Sequence, residues 1–477
     1  MLKSENIAPI HVVQSLSPDS IMLGEELMKK QGIPKAQHIS LQFGIYKQTV
    51  KVLPSLKKRG LTMHSRLAQQ LAIPLIKGEL KLALHYDSEQ ALLKLGPLMA
   101  VMINKETPED PDQPFGSISS FCTELAEACA MHGAFVYFFT PEAIGAHASL
   151  ISGWVRDGDW RKLILPLPEV IYNRLPSRKA ENQAHVRKLI RETARLHNIF
   201  IFNERFLDKH EVFEILSGNS AISSYLPQSQ LLSNYEQLQQ MISQHPVLYL
   251  KPVQGSMGRG IYRLTTLPEN SYGLERAKSN VQGVSKFSSL KRLYNAIKPR
   301  LAKQKYQLQQ GISVIQVGRK PVDFRALVQK NGQGEWSITS IVARTAGDDQ
   351  FVANLARGGT IESVLATLPK TNLLQHISYE SIYESLRTTA LEIALAIDEQ
   401  LDEHFAELGV DLAVDIQGKI WLIEVNSKPS KVDKTTLSRK IRPSVRVLLA
   451  YTKHLTGFQE GRRSHGQSKA GHRRREN

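Results

Sequence analysis

The chain has 477 residues, 42% of them hydrophobic, with a formal net charge of +16. That length predicts about three domains. No run approaches the roughly 20 apolar residues of a membrane-spanning helix. The opening MLKSENIAPIHVVQSLSPDS lacks an apolar signal core, which predicts a cytoplasmic location. Cys122 and Cys129 are the only cysteines, so no disulfide or zinc framework is expected. Their spacing places both on one helix face beside Phe121 and Leu125, as buried free thiols.

Residues 1–92 carry short alternating runs (HISLQFGI, QTVKVLPSL, LKLALHY) and predict a small, mostly β module. Over 93–203 strands alternate with helices, with Gly133 as a helix C-cap, predicting a small α/β domain. Residues 204–455 mix paired strands with helices. One helix, over about 378–408, carries Ile382, Leu386, Ile393, Ile397, Phe405 and Leu408 on a stripe that Gly409 ends. Within KFSSLKRLYNAIKPRLAKQKY, Leu290, Leu293, Ile297 and Leu301 recur at helical spacing. Its seven Lys and Arg residues then form a solvated face or one wall of an anion site. The closing EGRRSHGQSKAGHRRREN is basic and lacks apolar residues to pack, so residues 456–477 are expected to form a disordered tail. No internal repeat is visible. No zinc-finger or RNA-binding signature accompanies the charge, so nucleic acid is a poorly supported partner.

Three clusters carry chemistry. In VLYLKPVQGSMGRGIYRL, Gly255, Ser256, Gly258 and Gly260 present N–H and hydroxyl donors to phosphate. Strand-like residues flank the loop on both sides, and no Gly-Lys-Ser/Thr opens a helix, so a Walker A loop is excluded. The loop is either a plain hairpin turn or a flap over a triphosphate, with Lys251 beside it as a point charge. No HRD or DFG motif supports a protein kinase.

The second cluster is GVDLAVDIQGKIWLIEVNSKP. A two- or four-residue turn at Gln417-Gly418 places Asp411 opposite Glu424, whereas a three-residue loop breaks that register. Asn426 shares a face with Glu424. Facing carboxylates repel unless a cation lies between them, and this oxygen set suits Mg2+, with Mn2+ as the alternative, held jointly with phosphates. The third cluster holds Asp323, Arg325, Arg344, Asn354 and Arg357-Gly358-Gly359. Each alone reads as an ordinary ion-pair residue, but between a flap and a metal hairpin the arginines can stabilise a transferred phosphoryl group.

In that order, the motifs over about 204–430 resemble the ATP-grasp superfamily, in the style of ribosomal-protein glutamate ligases and bacterial glutathione synthetases. VIYNRLPSR, ANLARGG and WLIEVNSKPSK are more narrowly similar to the YheC/YheD family of endospore coat-associated proteins. The resemblance implies an ATP-grasp fold of two α+β subdomains, preceded by the small α/β domain and the β module. It implies that Lys209 and Lys251 bind ATP phosphates, and that Gln309, Gln310 and Ile312 form the adenine hinge. Asp411, Glu424 and Asn426 would hold the metal; Arg344 and Asn354, with Arg325, would serve catalysis. Asn173, Arg174 and Arg178 would grip a substrate carboxylate. Gln310-Gly311 departs from the acidic–aromatic pair usual in the glutamate ligases. The implied activity is Mg-ATP-dependent ligation of an unidentified carboxylate to an amine or thiol through an acyl phosphate. Spore-coat proteins are implied partners, and the rival is a structural coat protein that binds ATP without turnover.

Overall fold

A computed structural model describes residues 6–56, 60–107, 109–144, 149–253, 260–276, 283–347, 359–431 and 441–459. Strands β1 (Ile7–Val13), β2 (Ser20–Gly24), β3 (His38–Phe43), β4 (Tyr46–Ser55), β5 (Leu61–His64), β6 (Lys81–Asp87) and β7 (Leu92–Gly96) close into a barrel. Their order is β1-β5-β2-β4-β3-β7-β6. Helices α1 (Glu25–Gln31) and α2 (Ser65–Gln70) follow β2 and β5.

The barrel corrects the expectation of no internal repeat. Ile21, Leu23, Gly32 and Ile33-Pro34 occupy the same places as Leu61, Met63, Ala72 and Ile73-Pro74. Gly32 and Ala72 both end their helix with positive φ, 69° and 51°. The central pairing reproduces itself under this exchange, since Ile21 faces Met63 and Leu23 faces Leu61. The Ile10 N–H donates to the Leu80 carbonyl, and the Val52 N–H donates to Gln37 in the other half. Burial and backbone geometry persist between the halves while most side chains differ, which hides the repeat in the sequence.

The second sheet holds β8 (Leu98–Met102), β9 (Phe135–Phe139), β10 (Leu150–Asp157), β11 (Asp159–Pro166), β12 (Val170–Asn173) and β13 (Phe200–Phe202). One face, through Leu98, Ala100, Met102 and Tyr137, shares a core with the barrel. The other, through Met99, Val101 and Phe138, packs against Phe121, Cys122, Leu125 and Cys129 of α3 (Ser119–Met131). Both thiols are buried and unpaired as expected, and burial holds both protonated.

α4 (Lys209–Ser217) leads into the third sheet: β14 (Ser229–Leu231), β15 (Val247–Pro252), β16 (Tyr262–Leu267), β17 (Ser271–Arg276), β18 (Ser285–Phe287) and β19 (Tyr306–Gln310). Its order is β14-β19-β15-β16-β17-β18. Helices α5 (Tyr235–Gln244) and α6 (Leu290–Leu301) cover one face, burying Leu238, Leu248, Leu250, Leu264, Leu293 and Ile297 together. The side chain of Ser289 caps α6 by accepting from the Arg292 N–H.

The fourth sheet contains β20 (Gln316–Val317), β21 (Lys320–Lys330), β22 (Trp336–Thr345), β23 (Thr360–Ser363), β24 (Glu407–Val414) and β25 (Ile420–Asn426). Helix α7 (Tyr379–Gln400) packs on one face. It stops well short of Gly409, which corrects the expected helix over 378–408. Leu401 is already extended, with φ −110° and ψ 135°. Phe405, in the connection, and Leu408, in β24, reach the same core, which prolonged the helical pattern by coincidence. Gly409 lies mid-strand, where a Cβ would come 3.0 Å from Cβ of Pro429. A final helix, α8 (Pro443–Thr456), returns to α3 and the second sheet.

Candidate active site

Alternation along β24 sends Leu408, Val410, Leu412 and Val414 into the core beneath α7. Asp411 therefore faces the opposite side. The turn after β24 is the three-residue kind, the one expected to break the Asp411–Glu424 register. The Asp415 N–H donates to the Lys419 carbonyl (3.0 Å), the Gly418 N–H donates to the Asp415 carbonyl (3.0 Å), and Gly418 has φ 83°. Pairing consequently slips by one residue, with Val414 opposite Ile420 and Leu412 opposite Leu422. Simple alternation would then carry Glu424 into the core behind Ile420 and Leu422. A bulge at Ile423 prevents this: pairing resumes with Asp411 opposite Glu424, Val425 returns to the core, and Asn426 stands opposite Gly409. The facing carboxylates are real, but a bulge produces them rather than the turn.

Cations converge on this pair. Arg325 stands opposite Asp411 across β21–β24 and makes a two-pronged ion pair with it, Nη2 lying 2.7 Å from Oδ2. Arg344 reaches Asp411 (3.1 Å) and Asp323 (2.5 Å) together. Burial raises the Asp411 pKa, but the two guanidiniums more than offset it and hold the carboxyl below its ordinary value. Burial also raises Asp323, with Arg344 only partly opposing it. Glu424 pairs with Lys209 at 2.7 Å. Lys209 opens α4, whose cap is the Asp208 side chain accepting from the His210 N–H (2.9 Å). Lys251, on the third sheet, lies close enough to Lys209, Glu424 and Asp411 to feel their charges. Burial, then Lys209, lower its pKa to about 8.

The segment after β19 joins the two sheets. The Gly311 N–H donates to Val247 O (2.8 Å), and the Ile315 N–H donates to Val414 O (2.9 Å). A Cβ on Gly311 would lie 2.7 Å from Val247 O and Cγ1, so no aromatic side chain fits there. Gln309 is buried with its amide on the Ser229 hydroxyl (3.1 Å), and the Gln310 N–H donates to Gln228 O (2.9 Å). Ile312 lies in the connection itself. Gly260 has φ 74° and closes the hairpin before β16. Gly255, Ser256, Gly258, Asn354, Arg357 and Gly358 lie outside the described residues.

The expected carboxylate grip does not form. Asn173 is fully buried, its amide donating to Glu204 O (2.9 Å) and accepting from the Leu175 N–H (3.1 Å). Arg174 donates to Pro429 O (2.9 Å), stacks over Tyr172 and lies 3.8 Å from Glu407. Arg178 donates to Leu207 O (2.7 Å) and steadies the entry to α4. The YNR run carries anion-binding residue types, but strand burial commits the first two to the interior.

Sequence reasoning missed what they hold. Glu407, fully buried, accepts from the Tyr172 hydroxyl (2.7 Å), the Gln329 amide (2.8 Å) and Lys431 (2.5 Å). Asn203, at φ 55°, donates to Glu407 O and Ser427 O and accepts from the Ala406 and Glu407 N–H groups. Lys428 is paired with buried Glu181. The stretch leaving Asn426 is thus fastened to the second sheet and its connections. Two lysines in NSKPSK were the available signal, though nothing local marked them as buried.

Asp411 and Glu424 face each other as two carboxylates sharing a divalent cation would, with Cβ atoms expected about 4.5–5.5 Å apart at directly opposed positions, and Asn426 would be the third oxygen donor. Its Oδ1 accepts one hydrogen bond, from the Lys428 N–H (2.9 Å). Among the described residues no three His, Cys, Asp or Glu side chains form a closed metal cluster.

A family model described as YheC/D like ATP-grasp matches residues 198–455, more than half of the chain. Endospore coat-associated protein YheD of Bacillus subtilis (strain 168) is 29% identical over 278 residues, covering 57% of this chain and 60% of YheD. This chain thus spans less than two thirds of that relative. Endospore coat-associated protein YheC of the same organism is 24% identical over 319 residues, covering 66% and 85%. Among solved structures, D-cycloserine synthetase DcsG aligns over 75% of this chain and 99% of its own, with 14% identity and a TM-score of 0.45.

Proposed function

This chain belongs to the YheC/D-like ATP-grasp family, and from that premise we propose that it is a Mg-ATP-dependent ligase joining a carboxylate to an amine or thiol. The observation that carries the reading is the convergence of Lys209, Lys251, Arg325 and Arg344 on the facing Asp411 and Glu424. Four cations from the third sheet, the fourth sheet and α4 outnumber the two facing acids and Asp323, which shares Arg344, and a triphosphate supplies the missing negative charge. Asp411, Glu424 and Asn426 would hold Mg2+, which supplies Lewis-acid neutralisation of phosphate charge.

Lys209 and Lys251 bind and orient the phosphates, and Gln309 to Ile312 present backbone to adenine. In the first step a substrate carboxylate oxygen takes the γ-phosphoryl group and ADP leaves. In the second an amine or thiol attacks the acyl carbon, loses its proton and expels phosphate. Arg344, with Arg325 beside it, stabilises the charge on the transferred group, with Asn354 as a further contact. The relatives' names extend the proposal to association with the spore coat.

Engagement of Asn173 and Arg174 in the interior favours one alternative, a structural coat protein that binds ATP without turnover. Purified protein incubated with Mg-ATP and amino-acid mixtures separates the two. Acceptor-dependent ADP release is expected. Nucleotide binding without ADP release under any mixture would overturn the ligase reading.

A further inference from the structure

The basic helix α6 is not a wall of the phosphate site. It packs on the Leu248 and Leu250 face of β15, whereas strand alternation turns Lys251 to the other face. Its charge therefore needs a separate explanation. Lys291, Arg292, Lys298, Arg300 and Lys303 are all exposed, and no Asp or Glu occurs between Ser285 and Tyr306. Such a one-signed stripe along roughly 18 Å of helix repels itself until an anion covers it.

We propose that this face docks an acidic polypeptide segment of a partner protein. Three kinds of polyanion could satisfy the charge, and the surface lacks what two of them require. Single-stranded nucleic acid needs open aromatic platforms. Here Lys291 sits over Tyr235 (4.4 Å), and Arg300 and Arg276 sit over Tyr262 (5.5 and 5.9 Å), so those rings carry cations. Duplex recognition needs a helix that projects into a groove, but α6 is sunk into the sheet through Leu290, Leu293 and Ile297. A bilayer needs an apolar face to bury. Val284 is the only large apolar side chain exposed beside the helix among the described residues. Carboxylates spaced along an extended peptide ask only for exposed ammonium and guanidinium groups, which this face presents. The proposal stands on the rear of the sheet and does not depend on ligase activity.

The test uses the full chain and a labelled oligoglutamate peptide, followed by fluorescence anisotropy. Binding should weaken steeply with added salt. The triple variant Lys291→Gln/Arg292→Gln/Lys298→Gln should bind on the order of tenfold more weakly, with Mg-ATP binding and circular dichroism unchanged. Equal affinity in the variant would locate the anion site elsewhere and overturn the proposal. So would absence of peptide binding to the parent chain. Tighter binding of an oligonucleotide of equal charge, or of anionic lipid vesicles, would also overturn it.

Discussion

Lys251 shows how burial sets the working range of a phosphate ligand. With its pKa lowered to about 8 by loss of solvent and by Lys209, the ammonium is present below about pH 8 and lost above it. Nucleotide affinity should therefore fall as pH rises through 8, by about tenfold per unit once the amine is neutral. Calorimetric titrations from pH 7 to 9 would show it, and Lys251→Arg should flatten the profile. The nucleotide-free protein behaves oppositely. Between about 8 and 10.5 the unfolded chain holds a proton that the folded one has lost, so stability rises with pH across that window. Glu424 gives a second test. Glu424→Ala should remove the Mg2+ dependence of ATP binding and cost at least about 1.4 kcal/mol, a factor of ten. The same change frees Lys209 from its ion pair, so Mg-free affinity should hold or rise. Unchanged Mg-ATP affinity would refute the metal assignment. Lys431 tests the buried fastening. Lys431→Met leaves the Glu407 charge short of a partner and should destabilise the fold by about 3–5 kcal/mol in urea unfolding. Adding Glu407→Gln should recover part of that loss.

At the scale of elements, the β24–β25 hairpin shows what a sequence discloses and what it hides. Counting outward from Gly418 brought Asp411 opposite Glu424, and that pairing is present. The count succeeded because two one-residue displacements cancel, the longer turn and the bulge at Ile423. Neither was legible, since Ile420, Leu422, Glu424 and Asn426 alternate without any break in the sequence. A chain lacking Ile423 should keep Val414–Ile420 and Leu412–Leu422 paired and bring Glu424 opposite Asp411 without a bulge. It should then retain Mg-dependent nucleotide binding by calorimetry. Loss of that binding would show that the site needs the twist a bulge adds, beyond the facing side chains. Helix α7 failed in the opposite direction: periodicity found its buried stripe, but Phe405 and Leu408 continued that stripe from the connection and the strand that follow the helix. A period reports which residues reach a core, not which element carries them there.

At the scale of the molecule, local signals located the barrel strands β3, β4 and β6, helix α3 and the hairpin flanks. Contacts between distant segments were not legible, because no neighbouring residue announces a partner hundreds of positions away. Helix α8 is the clearest case. Val445, Leu448 and Leu449 enter the core formed by α3 and the second sheet. From the same helix the Ser444 carbonyl accepts from Gln329 of β21 (3.2 Å), and Arg442 at its cap pairs with Glu124 of α3 (2.5 Å). The helix thus ties the second sheet to the fourth, beside the fastening of Lys428 and Lys431 to Glu181 and Glu407. Leu448→Ala should cost about 2–5 kcal/mol, the usual range for a buried leucine cavity. If α8 is a shared support, hydrogen exchange in that variant should speed up together in β8, β12, β21 and β22. Faster exchange confined to the second sheet would mean that α8 stabilises one sheet alone, and that the Lys428–Glu181 pair and the Tyr172–Glu407 hydrogen bond carry the connection between them.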